Sequence, residues 1–199
     1  MVETHTYLPL IYTKRPSTRL LLYFLVIISG NVIAAGNDRA PVRKEKITAI
    51  VLHAIGGPVC LNNLVIFTAA PGDAQRWKNW FEQQKSVSIH YIVDRNGNVA
   101  KSIDENRVAW HARDYNPKSI GIELVNNGDG IEPYPERQIT ALVELVRQIR
   151  ARHKSISINN VVRHSDIDSR TFNCGGKKVD HKQDPGPKFP YDSFLSTLK

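Results

Sequence analysis

The stretch "VSIHYIVDRNGNVAKSI", residues 87–103, decides the architecture. Two β-prone apolar runs flank Asn96-Gly97, a dipeptide that tolerates positive φ at both centres of a type I′ turn. The segment therefore predicts a β-hairpin. Its surroundings are not all-β. "ITAIVLH" (47–53), "SIGIELV" (119–125) and "INNVVRHS" (158–165) read as three further strands. Two helical patterns lie between them. "DAQRWKNWFEQQ" (73–84) follows an N-cap at Asp73 and places Trp77, Trp80 and Phe81 on one face, where they read as core. "PERQITALVELVRQIRARH" (135–153) has Pro135 at its first helical position and a stripe of Ile139, Leu142, Val143, Val146 and Ile149. Strands and helices interleaved with one hairpin predict an α/β fold, a mixed central β-sheet flanked by α-helices. A chain of 199 residues, 41% of them hydrophobic, fills one such core.

The N-terminal region does not belong to that core. Lys14, Arg15 and Arg19 lead into "LLLYFLVIISGNVIAA", and the chain turns polar from Gly36. A basic flank, a short apolar run and small residues at Ala34 and Ala35 predict a signal peptide over 1–35. A flexible lead-in (36–46) and one folded domain (47–199) then follow. The apolar run is shorter than the ~20 residues a spanning helix needs, so export to the periplasm or exterior is expected. In that compartment Cys60 and Cys174 either form one disulfide or stay free and buried. The formal net charge is +8. Removing Lys14, Arg15, Arg19 and Glu3 leaves 24 basic and 18 acidic residues, a charge of +6. Such a surplus suits an anionic polymer. The basic residues are scattered and not interleaved with aromatics, which argues against nucleic acid.

Three polar residues stand out in apolar segments. His53 and His164 each close a strand, where α/β proteins build their sites. Glu123 sits between Ile122 and Leu124, and a carboxylate there must be exposed, paired or used. Near the C-terminus "DHKQDPGPKF" (180–189) concentrates ionisable groups on a segment stiffened by Pro185 and Pro187. Two histidines and one carboxylate, with a position left for water, make up a catalytic zinc centre, whereas structural sites fill all four positions. The spacing is not the helical His-Glu-x-x-His, so the ligands must come from separate strands and one rigid loop. That gives the rigid segment a role, since it holds Asp184 with little entropy left to lose.

"AIVLHA", "SIHYIVDRNGNVAKSIDENRVAWHA", "NPKSIGIELVN", "VVRHSDID" and "KQDPGPKF", in this order, resemble the zinc N-acetylmuramoyl-L-alanine amidases of the type 2 amidase and peptidoglycan recognition protein superfamily. The resemblance runs from about Ile47 to Phe189. It implies Zn2+ bound by His53, His164 and Asp184, with Glu123 and Lys182 as catalytic residues. Tyr91, Trp110, His111 and Asn126 would contact the substrate. The implied reaction is hydrolysis of the amide between the lactyl group of N-acetylmuramic acid and L-alanine in peptidoglycan or released muropeptides. A non-cutting peptidoglycan-binding module is the rival reading, and an inhibitor or immunity protein is a conceivable partner. Two features depart from the pattern. His164 and Asp184 are 20 positions apart (184 − 164), with the extra stretch "SRTFNCGGKKV" (169–179) between them, and "AIGGP" follows His53.

Overall fold

A computed structural model describes residues 40–199, so the expected signal peptide lies outside the described residues. The elements are β1 (Ala49–Ala54), β2 (Pro58–Leu61), β3 (Leu64–Phe67), α1 (Ala74–Gln83), β4 (Tyr91–Val93), β5 (Val99–Lys101), β6 (Ser119–Leu124), α2 (Glu136–Arg152), β7 (Val161–Arg163), α3 (His164–Ile167), β8 (Thr171–Cys174), β9 (Lys177–Asp180) and α4 (Tyr191–Thr197). Five strands form the central sheet in the order β5-β4-β6-β1-β7. All are parallel except β5, the antiparallel arm of the hairpin. The sheet is mixed and covered by helices on both faces, as the sequence pattern predicts.

Alternation along the strands separates structure from chemistry. Ile50 and Leu52 of β1, Ile120, Ile122 and Leu124 of β6, and Tyr91 and Val93 of β4 join the core that α2 and α4 close. The opposite face carries Ile92, packed with Phe81 and Ala74 of α1. On that second face β6 presents Ser119, Gly121 and Glu123 and β1 presents His53. His53 and Glu123 are register partners.

The turn of the β4–β5 hairpin differs from the sequence expectation. Gly97 takes a positive φ of 84° and Asn96 does not. The Asp94 carboxylate accepts the N–H groups of Asn96 and Asn98 at 2.8 and 3.0 Å, and Gly97 N–H donates to the Asp94 carbonyl. That side-chain cap favours a longer loop with a single left-handed residue over the two-residue type I′ turn.

The described part of the lead-in makes contacts with the domain. Ala40 is buried, and Val42 bridges to Arg107. The Arg43 guanidinium donates to the carbonyls of Glu105, Asn116, Pro117, Arg107 and Ser119. One side chain thereby gathers the loop that runs from β5 to β6.

Two hairpins stand outside the main sheet, β2–β3 and β8–β9. The second is the extra stretch between His164 and Asp184. A disulfide between Cys60 and Cys174 joins them, with Cα atoms 5.5 Å apart. Their turns also meet, since a Cβ at Gly175 would lie 2.3 Å from the Asn63 carbonyl oxygen.

Candidate active site

His53 enters from the C-terminal end of β1 and is buried, as expected where a parallel strand meets its loop. His164 opens α3 directly after β7 and is also buried. Asp184 arrives on the C-terminal loop. Its carbonyl accepts the Ser165 N–H at 3.0 Å, and Tyr134 donates to the Pro185 carbonyl at 2.6 Å, so the loop is pinned at two successive carbonyls. The Nδ1 atoms of His53 and His164 each lie 3.1 Å from Asp184 Oδ2. One ligand atom from each of the three residues falls within 4.8 Å of the others.

Glu123 lies next to this cluster, and its Oε2 is sealed from solvent without a hydrogen-bond partner. Burial, and then the charge of Asp184, push its carboxyl up to about 8, partly offset by the Lys182 ammonium. His53 moves the other way: burial lowers it to about 4 against the pull of Asp184. Burial alone would raise Asp184, but hydrogen bonds from His164 and His53 outweigh that and hold it far below the usual carboxylate range.

These opposed shifts predict a pH dependence for the metal-free protein. His53, His90 and His111 bind fewer protons folded than unfolded, so their contribution raises stability with pH only up to their unfolded value of about 6.5. Glu123 binds more protons folded, so it lowers stability as pH rises from 4.5 to about 8. Between pH ~6.5 and ~8 only Glu123 of these four acts, and the loss is about 2 kcal/mol. Denaturant unfolding in excess chelator should show that decline in the wild type and a flat line in Glu123→Gln. Equal slopes would refute the assignment.

The cluster forms the floor of a groove of about 500 Å³. Trp110, Trp80, Val59 and Lys182 are among its walls, and Trp80 and Trp110 are 42% and 45% exposed. Of the helix aromatics expected in the core, Phe81 is buried and Trp77 packs partly buried against the same cluster, whereas Trp80 is exposed; all three border the groove. Helix α1 lies along the rim, so only part of its apolar face meets the sheet.

Two residues expected at the substrate lie elsewhere. Tyr91 pairs with Ile122 and shares its face, the one that α2 covers. Its hydroxyl donates to Glu105 at 2.6 Å, and Arg152 and His153 complete that cluster. Asn126 is buried in a turn, where its Oδ1 accepts the Gly128 N–H and its Nδ2 donates to the Glu132 carbonyl. His111 borders the groove but contacts His53: its Nδ1 lies 2.9 Å from His53 Nε2. Sequence reasoning missed Asp168, whose carboxylate lies 3.9 Å from His164 Nε2 and is gripped by Arg170. The i, i+4 spacing from His164 was its only sequence signal.

A mixed sheet with two imidazoles, a carboxylate and an unsatisfied glutamate at the floor of a groove defines the class of type 2 amidase folds. A crystal structure of a selenomethionine derivative of AmpD superposes with a TM-score of 0.61 over 82% of this chain and 92% of that one, at 21% identity. The chain belongs to the N-acetylmuramoyl-L-alanine amidase family (Amidase_2), whose model matches residues 43–187. It is 31% identical over 124 residues to the 1,6-anhydro-N-acetylmuramyl-L-alanine amidase AmpD of Haemophilus influenzae, a match covering 58% of this chain and 61% of that protein. The chain thus spans about three fifths of the length of that curated relative. It is also 28% identical to Escherichia coli AmiD, solved in complex with the substrate anhydro-N-acetylmuramic acid-L-Ala-D-γ-Glu-L-Lys. That superposition has a TM-score of 0.56 and covers 80% of this chain and 61% of the other.

Proposed function

We propose that this protein is a zinc-dependent amidase that cleaves the bond between the lactyl carbonyl of N-acetylmuramic acid and the amino group of L-alanine in peptidoglycan. The observation that carries the reading is Glu123, a half-buried side chain whose Oε2 is sealed from solvent and unpaired beside a three-ligand cradle. The residues fit zinc. Two imidazole nitrogens and one carboxylate oxygen are a catalytic donor set that leaves a fourth position for substrate or water. Tetrahedral bonds of about 2.0–2.1 Å place ligand atoms about 3.3 Å apart, close to the 3.1 Å spacing of both histidines from Asp184.

His53, His164 and Asp184 would hold the zinc, which would supply Lewis acidity for the amide carbonyl and the attacking water. Glu123 takes a proton from the attacking water and delivers it to the amine nitrogen as the C–N bond breaks. Lys182, on the groove wall, stabilises the negative charge on the carbonyl oxygen in the tetrahedral intermediate. Trp110 contributes an exposed aromatic face to the substrate. The products are a stem peptide with a free L-alanine amino group and a glycan carrying the lactyl carboxylate.

The catalytic domain is residues 47–199, and export agrees with the disulfide, which persists in oxidising compartments. Among the described residues, no helix is long and apolar enough to cross a membrane. The substrate range takes in anhydromuramyl peptides as well as intact wall, the former suggested by the relatives' names. Mass analysis of sacculi and of anhydromuropeptides incubated with the zinc-loaded protein tests the reading. Free stem peptides beginning with L-alanine should appear, vanish with chelator and return with zinc. A zinc-loaded protein that releases none would overturn it.

A further inference from the structure

We propose that His111 and Ser119 form a positioning pair that holds His53 in the tautomer a metal requires. This rests on the zinc reading above and moves His111 from the substrate groove to the ligand behind it. His53 Nδ1 faces Asp184, and its outer nitrogen, Nε2, lies 2.9 Å from His111 Nδ1. His111 Nε2 in turn lies 3.3 Å from Ser119 Oγ, and Ser119 Oγ lies 2.6 Å from the Tyr115 carbonyl oxygen.

Two placements of the ring hydrogens fit these spacings. In the first, His111 donates from Nδ1 to His53 Nε2, and His53 carries its hydrogen on Nδ1, where it blocks a metal. In the second, His111 carries its hydrogen on Nε2, His53 donates from Nε2 to His111 Nδ1, and His53 Nδ1 is bare.

Ser119 separates the two. Its hydroxyl has one hydrogen, and the carbonyl 2.6 Å away only accepts, so that hydrogen points to Tyr115. Toward His111 the hydroxyl offers lone pairs alone. The first placement sets a bare nitrogen against them; the second makes a hydrogen bond. Without a cation, His53 Nδ1–H can donate to Asp184 and favour the first placement. Once a cation takes that proton's place between Nδ1 and Asp184, Ser119 favours the second, with His53 Nδ1 bare.

The strand that carries Ser119 also fixes the ring. A Cβ at Gly121 would lie 2.7 Å from the His111 ring, so only glycine lets the imidazole settle over β6. Asn116 Oδ1 accepts the backbone N–H groups of His111 and Ala112 at 2.9 and 2.6 Å and holds the loop. Ser119, Gly121 and Glu123, alternate residues of one strand, thus orient the relay, admit its ring and face the substrate.

The test measures zinc affinity by competition with a chromophoric chelator, without reference to turnover. His111→Phe keeps the ring volume and removes the acceptor, and it should weaken zinc by about 10–100-fold. Ser119→Ala should shift affinity in the same direction. His111→Asn places an amide oxygen near the Nδ1 position and should stay within about fivefold of wild type. Nitrogen-15 spectra of the zinc-loaded wild type should show the His111 hydrogen on Nε2, a readout that does not depend on any variant folding. His111→Phe with wild-type affinity, or a His111 hydrogen on Nδ1, would overturn the relay while zinc binding itself stands. A wild type that binds no zinc would overturn the relay and the amidase reading together.

Discussion

Replacing Glu123 with glutamine is expected to lower kcat on a purified muropeptide by about 10²–10⁴-fold, the usual worth of a positioned acid–base group. Glutamine keeps the shape, so no cavity opens in β6 and His53 keeps its register partner. Zinc content should not change, because the glutamate is not one of the three cradle residues. The substitution deletes one capability, accepting a proton from water and passing it on. The free Oε2 has no structural bond to lose, so the folding cost should be small, unlike that of most buried carboxylates. Near wild-type turnover in this variant would remove Glu123 from the chemistry. Loss of zinc along with turnover would recast it as a support for the cradle.

The second large effect belongs to Asp184→Asn. Asp184 supplies the only negative charge in the cradle and the oxygen that both histidines face. Structural zinc sites with four ligands bind with roughly 10–16 kcal/mol, so one ligand is worth about 3–4 kcal/mol, or roughly 10²–10³-fold in affinity. Amidase activity at micromolar zinc should fall with it and recover in part at high zinc. The metal-free variant should fold, since an amide still hydrogen-bonds one imidazole and the Asp184 backbone contact with Ser165 is untouched. Full zinc occupancy in Asp184→Asn would show that the metal is held elsewhere.

The cradle was legible because polar residues stood in the wrong surroundings. Histidines at two strand ends and a glutamate inside "SIGIELV" have few inexpensive places in a packed sheet. What stayed hidden depended on contacts between distant parts of the chain. Tyr91 followed from a resemblance in position, but its side chain falls on the α2 face, which strand register alone decides. Arg43 gave no signal, since the His90 ring and the five carbonyls it reaches are 47 to 76 positions away. His111 looked like a groove residue because nothing local reports that its ring abuts His53. Trp80 fitted an apolar helix face, yet a helix at the rim buries only part of that face.

The cross-linked hairpins form a unit separate from the central sheet. Neither belongs to the five-stranded sheet, and the disulfide ties positions 114 residues apart, binding the two excursions to each other. Such a collar can lengthen, shorten or be exchanged as a cassette while the strands beneath keep their pairing. Pro58 and Val59 of the first hairpin line the groove, so changes in this collar would alter what enters it while the strand pairing beneath stays the same.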